Sequence, residues 1–147
     1  MKCLPEGDLT KYVDTPLPRE TVQNISNQTL EGLKVMHQEE IAHRNIKPQN
    51  LGSNLRVLCC RSRFQPKAPP FTSQCQPLSY GALEVLGLDS NSQSSGYTSP
   101  VDIWSVGCVI YELLVGQNLF SSWDQITRYY FGKRPFPRDG LGWLSLY

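Results

Sequence analysis

Apolar residues recur at three- and four-residue steps in the early part of the chain: Val22, Ile25, Leu33 and Met36, with Thr29 on the same line. This spacing puts one apolar stripe on a helix and predicts an element from about Arg19 to Gln38, following the turn-rich opening Leu4-Pro5-Glu6-Gly7-Asp8 and Thr15-Pro16-Leu17-Pro18. A short strand-and-loop region is expected around Ile41 to Leu51. From Leu51 to Ser79 the periodicity fails. Cys59-Cys60-Arg61-Ser62-Arg63 runs into Pro66, Pro69 and Pro70, and the stretch exceeds the roughly 12–15 residues usual for a structureless connection. It reads as a mobile, divergent loop. Gly81 to Leu88 suggests a short helix, and the Ser- and Asn-rich run from Asp89 to Tyr97 a surface loop. The strongest helix begins at Ser99-Pro100, with Asp102 near its positive end, and stays apolar nearly all round from Val101 to Val115 before Gly116 stops it. A helix apolar on all sides is expected to be central and buried. A further helical stretch is predicted near Trp123 to Phe131, and Trp104, Trp123 and Met36 read as core.

Composition narrows the possibilities. The 147 residues are enough for one domain with a real core, and 14 basic against 13 acidic side chains leave a net charge of +1. No basic stripe argues for nucleic acid. The longest apolar run, Val106 to Val115, is short of the ~20 residues that span a bilayer and carries Glu112, so no membrane partner is expected. The opening residues lack a signal-peptide layout, which makes an intracellular, cytoplasmic protein the expectation. Cys3, Cys59, Cys60, Cys75 and Cys108 are odd in number and lack C-x-x-C spacing, so reduced thiols are expected in preference to disulfides or zinc.

The chemistry-bearing residues lie in three clusters. His43-Arg44-Asn45-Ile46-Lys47-Pro48-Gln49-Asn50 resembles the catalytic loop of protein kinases, H-R-D-x-K-P-x-N, with asparagine in place of the aspartate. Tyr80-Gly81-Ala82-Leu83-Glu84-Val85-Leu86 is similar to the family's Y-x-A-P-E-V-L, and Asp102-Ile103-Trp104-Ser105-Val106-Gly107 resembles its D-x-W-S-x-G helix. Occurring in the family's order, the three together resemble a serine/threonine protein kinase. Lys47 points to that branch, and the run from Leu113 to Lys133 resembles fungal kinase domains. The resemblance implies a mainly α fold, the large carboxyl-terminal lobe of a kinase without the β-rich small lobe, with residues 1–147 as one partial domain.

The same resemblance implies ATP-dependent phosphorylation of protein serine or threonine, with ATP and Mg2+ as cofactors. It assigns catalytic positions to Asn45, Lys47 and Asn50, nucleotide contacts to Met1, Cys3 and Asn50, and a metal ligand to Asn50. His43 and Asp102 take fold-supporting roles, although Asp102 also reads as a plain charge at a helix start. Arg44 faces either the activation segment or solvent. The departures are chemical. An asparagine amide at 45 cannot act as a carboxylate base. No aspartate occurs between Asp14 and Asp89 to stand for that of D-F-G, and hard cations prefer anionic oxygen ligands. The glycine-rich loop and its partner lysine are also missing from the sequence. Little or no phosphotransfer is therefore expected; the alternative is a pseudokinase scaffold that works through protein–protein contact.

Overall fold

The computed structural model describes residues 8–52, 78–88, 99–138 and 140–142. The expected mobile loop lies almost wholly outside them, as do Met1, Cys3, Cys59, Cys60, Cys75 and the run from Asp89 to Tyr97. Among the described residues the architecture is helical: α1 spans Arg19–Gln38, α2 Pro100–Val115 and α3 Trp123–Tyr130. Short 3-10 turns occupy Leu9–Tyr12 and Pro48–Asn50.

The periodic stripe of α1 builds the core as its spacing requires. Val22, Ile25 and Leu33 are buried and Met36 is partly so, while Thr29, also buried, satisfies its hydroxyl by donating to the Ile25 carbonyl at 2.9 Å. Leu30 and Val35 fall off the stripe and stay exposed. Against this face packs α2 with Val106, Val109 and Leu113, joined by Leu9, Ile46, Leu51, Phe120 and Ile126 in one cluster. Each fully buried aliphatic side chain contributes roughly 1.5–3 kcal/mol. A second layer of rings extends the core: Phe120 stacks on Trp104 at 6.3 Å and meets Tyr129 at 5.3 Å.

The terminus of α2 is fixed by backbone geometry. Gly116 takes φ +74°, its amide donates to the Glu112 carbonyl at 2.7 Å, and a Cβ there would sit 2.8 Å from Pro16. Leu17 then donates to the Leu113 carbonyl at 2.8 Å, tying the segment before α1 to the end of α2. At the start of α3, Ser122 accepts from the Gln125 amide at 3.3 Å while the Gln125 side chain accepts from the Ser121 amide at 3.0 Å. Ser122-Trp123-Asp124-Gln125 is thus a capping-box sequence with its return bond displaced by one residue.

Four expectations are corrected. No strand forms around Ile41 to Leu51; the described residues there hold only the 3-10 turn and an isolated bridge between Asp8 and Gly52. The short helix at Gly81 to Leu88 is a single turn: Leu88 N–H meets the Leu83 carbonyl, Gly87 N–H meets that of Glu84, and Gly87 takes φ +73°. That is a Schellman closure, which stops the helix at its first turn. In α2, Ile103 is 49% exposed although the helix is apolar nearly all round, while the charged Glu112 is wholly buried. Trp123, read as core, is 47% exposed at the first position of α3.

Candidate functional site

The loop from Ile41 to Leu51 has no ladder of its own, so its shape comes from side chains that bind its backbone. Asp102, fully buried in the first turn of α2, does most of this. One of its oxygens accepts from the His43 amide at 2.7 Å and from His37 Nε2 at 2.8 Å; the other accepts from the Arg44 amide at 2.7 Å. Anion character there is also favoured by the exposed amides of the helix start. These bonds hold Arg44 at φ +61°, a region an L residue enters only when its surroundings determine it. Asp102 thus joins α1, the loop and α2 at one carboxylate. The reading of it as a plain helix-start charge gives way to a loop anchor. Arg44 is half-buried and so does not simply face solvent.

His43 is buried, and its Nδ1 accepts from the Asn45 amide at 3.2 Å, which requires the neutral ring. Burial holds this imidazole below its ordinary value, against the pull of the Asp102 charge in the other direction. At the far end of the loop, Asn50 donates from Nδ2 to the Asn45 carbonyl at 2.7 Å, and the Asn50 amide closes the 3-10 turn on the Lys47 carbonyl at 2.9 Å. Asn45, Lys47 and Asn50 therefore share one compact turn. Lys47 is half-buried, and Asn45 keeps its side-chain oxygen buried without a hydrogen-bond partner. Met1 and Cys3 lie outside the described residues.

A second polar centre was missed by the sequence reading. Glu112, completely buried in α2, accepts from the Tyr80 hydroxyl at 2.6 Å and from the Asn118 amide, while Ser79 donates to the Asn118 side-chain oxygen at 3.1 Å. Ser105 adds a bond to the Tyr80 carbonyl at 2.8 Å. Burial raises the Glu112 carboxyl, the Tyr80 bond draws it back, and Asp14 raises it further. The Tyr80 phenol is pushed up by burial first and then by Glu112. Cys108 nearby is pushed up to about 12, again by burial and then by Glu112, which leaves an inert thiol, in keeping with the reduced state expected for it. The signal for this centre was in plain view: a glutamate in the middle of an apolar helix must find partners if it is buried.

The protein kinase domain family pattern matches residues 1–135. The chain belongs to the protein kinase family. Its relatives agree. It is 34% identical over 132 residues to serine/threonine-protein kinase atg1 of Dictyostelium discoideum, an alignment covering 83% of this chain and 19% of that protein. With the putative cyclin-dependent kinase F-2 of rice it shares 37% over 123 residues, 77% of this chain and 36% of the relative. The cell division control protein 2 homolog 1 of Trypanosoma brucei is 32% identical over 139 residues, 86% and 44% of the respective chains. This chain therefore spans less than half the length of each. The helical, large-lobe character expected of a kinase is what the described residues display. No described helix is long and apolar enough to cross a membrane.

The kinase family uses ATP with magnesium, and the loop's donor set can be tested against that pair. Asn50 Oδ1 and Asn45 Oδ1 are neutral amide oxygens, and the sequence has no acidic residue between Glu40 and Glu84. The carboxylate that does touch the loop, Asp102, spends both oxygens on His37, His43 and Arg44. Magnesium is ordinarily bound through one or two carboxylates, so these residues do not fit the ion on their own.

Proposed function

We propose that this chain is a serine/threonine-kinase-like large-lobe domain that does not itself transfer phosphate. The observation that carries the reading is Asn45, a carboxamide at the proton-acceptor position of a loop that is otherwise assembled: Asp102 anchors it, His43 packs beneath it, and Asn50 holds the Asn45 carbonyl at 2.7 Å. General-base help is worth ~10²–10⁴ in rate, and phosphoryl transfer depends further on charge neutralisation by metal ions. With neither a carboxylate at 45 nor an acidic anchor between Glu40 and Glu84, nucleotide binding at Met1, Cys3 and Asn50 is weak and turnover negligible. On this reading Lys47 is a half-buried loop lysine without a catalytic role, and residues 1–147 act as one partial kinase domain.

The test uses the full chain with millimolar Mg·ATP. The melting temperature is expected to stay put, and label transfer from ATP to a generic protein substrate is expected to equal that of Lys47→Ala. Asn45→Asp alone is also expected to stay at background, because the metal still lacks its acidic anchor. Transfer by the native chain that Lys47→Ala abolishes would overturn the reading. A second reading, a pseudokinase that works by holding a protein partner, is favoured by the exposed aromatic and cationic surface at the end of α3, where Phe131 is 63% exposed.

A further inference from the structure

The last turn of α3 and the segment after it carry a local excess of positive charge. Between Trp123 and Arg138 the single acid Asp124 faces four bases, Arg128, Lys133, Arg134 and Arg138, which leaves +3 locally in a chain whose total is +1. Apolar rings are interleaved with these cations. Phe131 is 63% exposed, and Tyr130, 37% exposed, packs edge-on against it at 5.1 Å. The backbone holds the arrangement in place: the amides of Lys133 and Arg134 both donate to the Arg128 carbonyl, at 2.8 and 3.1 Å, and fold the chain back over the helix end. The result is an open concavity of about 440 Å³ lined by Asp124, Thr127, Arg128, Phe131 and Lys133.

An exposed ring beside a cationic hollow has a cost in water that a packed partner would recover. We propose that this surface docks an acidic peptide segment of a partner protein, with one apolar or aromatic side chain seated against Phe131 and flanking carboxylates on Lys133 and Arg128. Charge complementarity selects carboxylates over other occupants. Arg128 is already held by Asp124 at 2.8 Å, so the hollow presents an acid as well as bases, which disfavours the dense negative charge of a nucleic-acid backbone. Neighbouring carboxylates with a hydrophobic anchor can instead use Lys133 directly and compete with Asp124 for Arg128. The proposal extends the reading of a domain that does not transfer phosphate and rests on it for its biological meaning, but phosphotransfer assays decide that reading independently of peptide binding.

The probe is a fluorescein-labelled ten-residue peptide of aspartate and glutamate around one central phenylalanine, titrated with the full chain at low salt. Saturable binding is expected, weakened about tenfold or more by Phe131→Ala and by Lys133→Glu. Asp124→Asn is expected to tighten it, since Arg128 is released; a merely nonspecific attraction would not single out Phe131. Raising the salt should weaken binding as screening grows. All three positions are exposed, so each variant is expected to remain folded, as circular dichroism melts will check. The proposal is overturned if the phenylalanine-free peptide binds equally well or if Phe131→Ala leaves affinity within about twofold. Tighter binding of a single-stranded oligonucleotide would overturn it too, as would a concentration-dependent dimer in light scattering that Phe131→Ala disperses.

Discussion

Asp102 occupies the position where one side chain has the widest reach. Its carboxylate accepts bonds from His37, His43 and Arg44, and the last of these sits at a positive φ that only such bonds sustain. Asp102→Asn keeps the shape but exchanges an acceptor oxygen for a donor group, which then faces a backbone N–H or the His37 ring. Hydrogen bonds to charged groups are worth about 1.5–3 kcal/mol, and an unsatisfied buried donor adds to the loss. The variant is expected to lose about 2–4 kcal/mol in urea denaturation at unchanged slope; a loss below about 0.5 kcal/mol would show that the loop holds itself without the anchor. Aspartate near the start of a helix is legible in the sequence as a favourable charge. That it turns away from its own helix to bind a loop some sixty positions earlier was implied only by the resemblance to kinases and not by residue type or spacing, because the partner amides are backbone groups with no sequence signature.

At the scale of elements, helix bounds were the most legible feature, since α1 runs over the very span its stripe predicts and α2 stops at Gly116. Two glycines, one within α2 and one at its end, separate backbone need from mere tolerance. Gly116→Ala puts a Cβ in the left-handed region and 2.8 Å from the Pro16 ring, so it is expected to cost more than the ~1–2 kcal/mol of the left-handed conformation alone. Gly107 lies mid-helix, exposed, with nothing within 4 Å of where a Cβ would stand, so Gly107→Ala is expected to add ~0.5–1 kcal/mol by restricting the unfolded chain. Thermal melts of the pair should move in opposite directions. The misread element, Gly81 to Leu88, shows why short segments are harder: with only one turn available, the left-handed Gly87 closes it before a second hydrogen-bonded turn can form.

Across the whole molecule, two buried titrating groups act on stability in opposite senses. His43 has a depressed folded value, so the unfolded chain takes up its proton first and stability falls as pH drops below about 6.5. Glu112 has a raised folded value, so its contribution is complete below about 4.3 and is lost as pH rises through the folded value. Between pH 7 and 5 acidification therefore weakens the fold through His43 and strengthens it through Glu112. Glu112→Gln removes the compensating term and should make the stability loss over that range steeper than in the native chain, as read from urea midpoints at each pH. An equal slope in both proteins would mean that Glu112 is not the buried titrating group.

The amino-acid sequence alone determined the helical periods, the stops and the kinase resemblance, because these depend on residue type at fixed spacing along one chain. It also determined where acids are absent, since a carboxamide at 45 and an acid-free stretch from Ile41 to Leu83 are compositional facts. Tertiary structure decided what each polar residue is for. Only when α2 lay against the loop did Asp102 become its anchor, and only when Tyr80 and Asn118 met on α2 did Glu112 become a satisfied interior charge. Likewise, nothing in the spacing of Trp123, Tyr130 and Phe131 distinguishes a core ring from an exposed one on so short a helix. Burial is set by which neighbours arrive from distant parts of the chain, and desolvation then assigns each buried group its bonds and its proton.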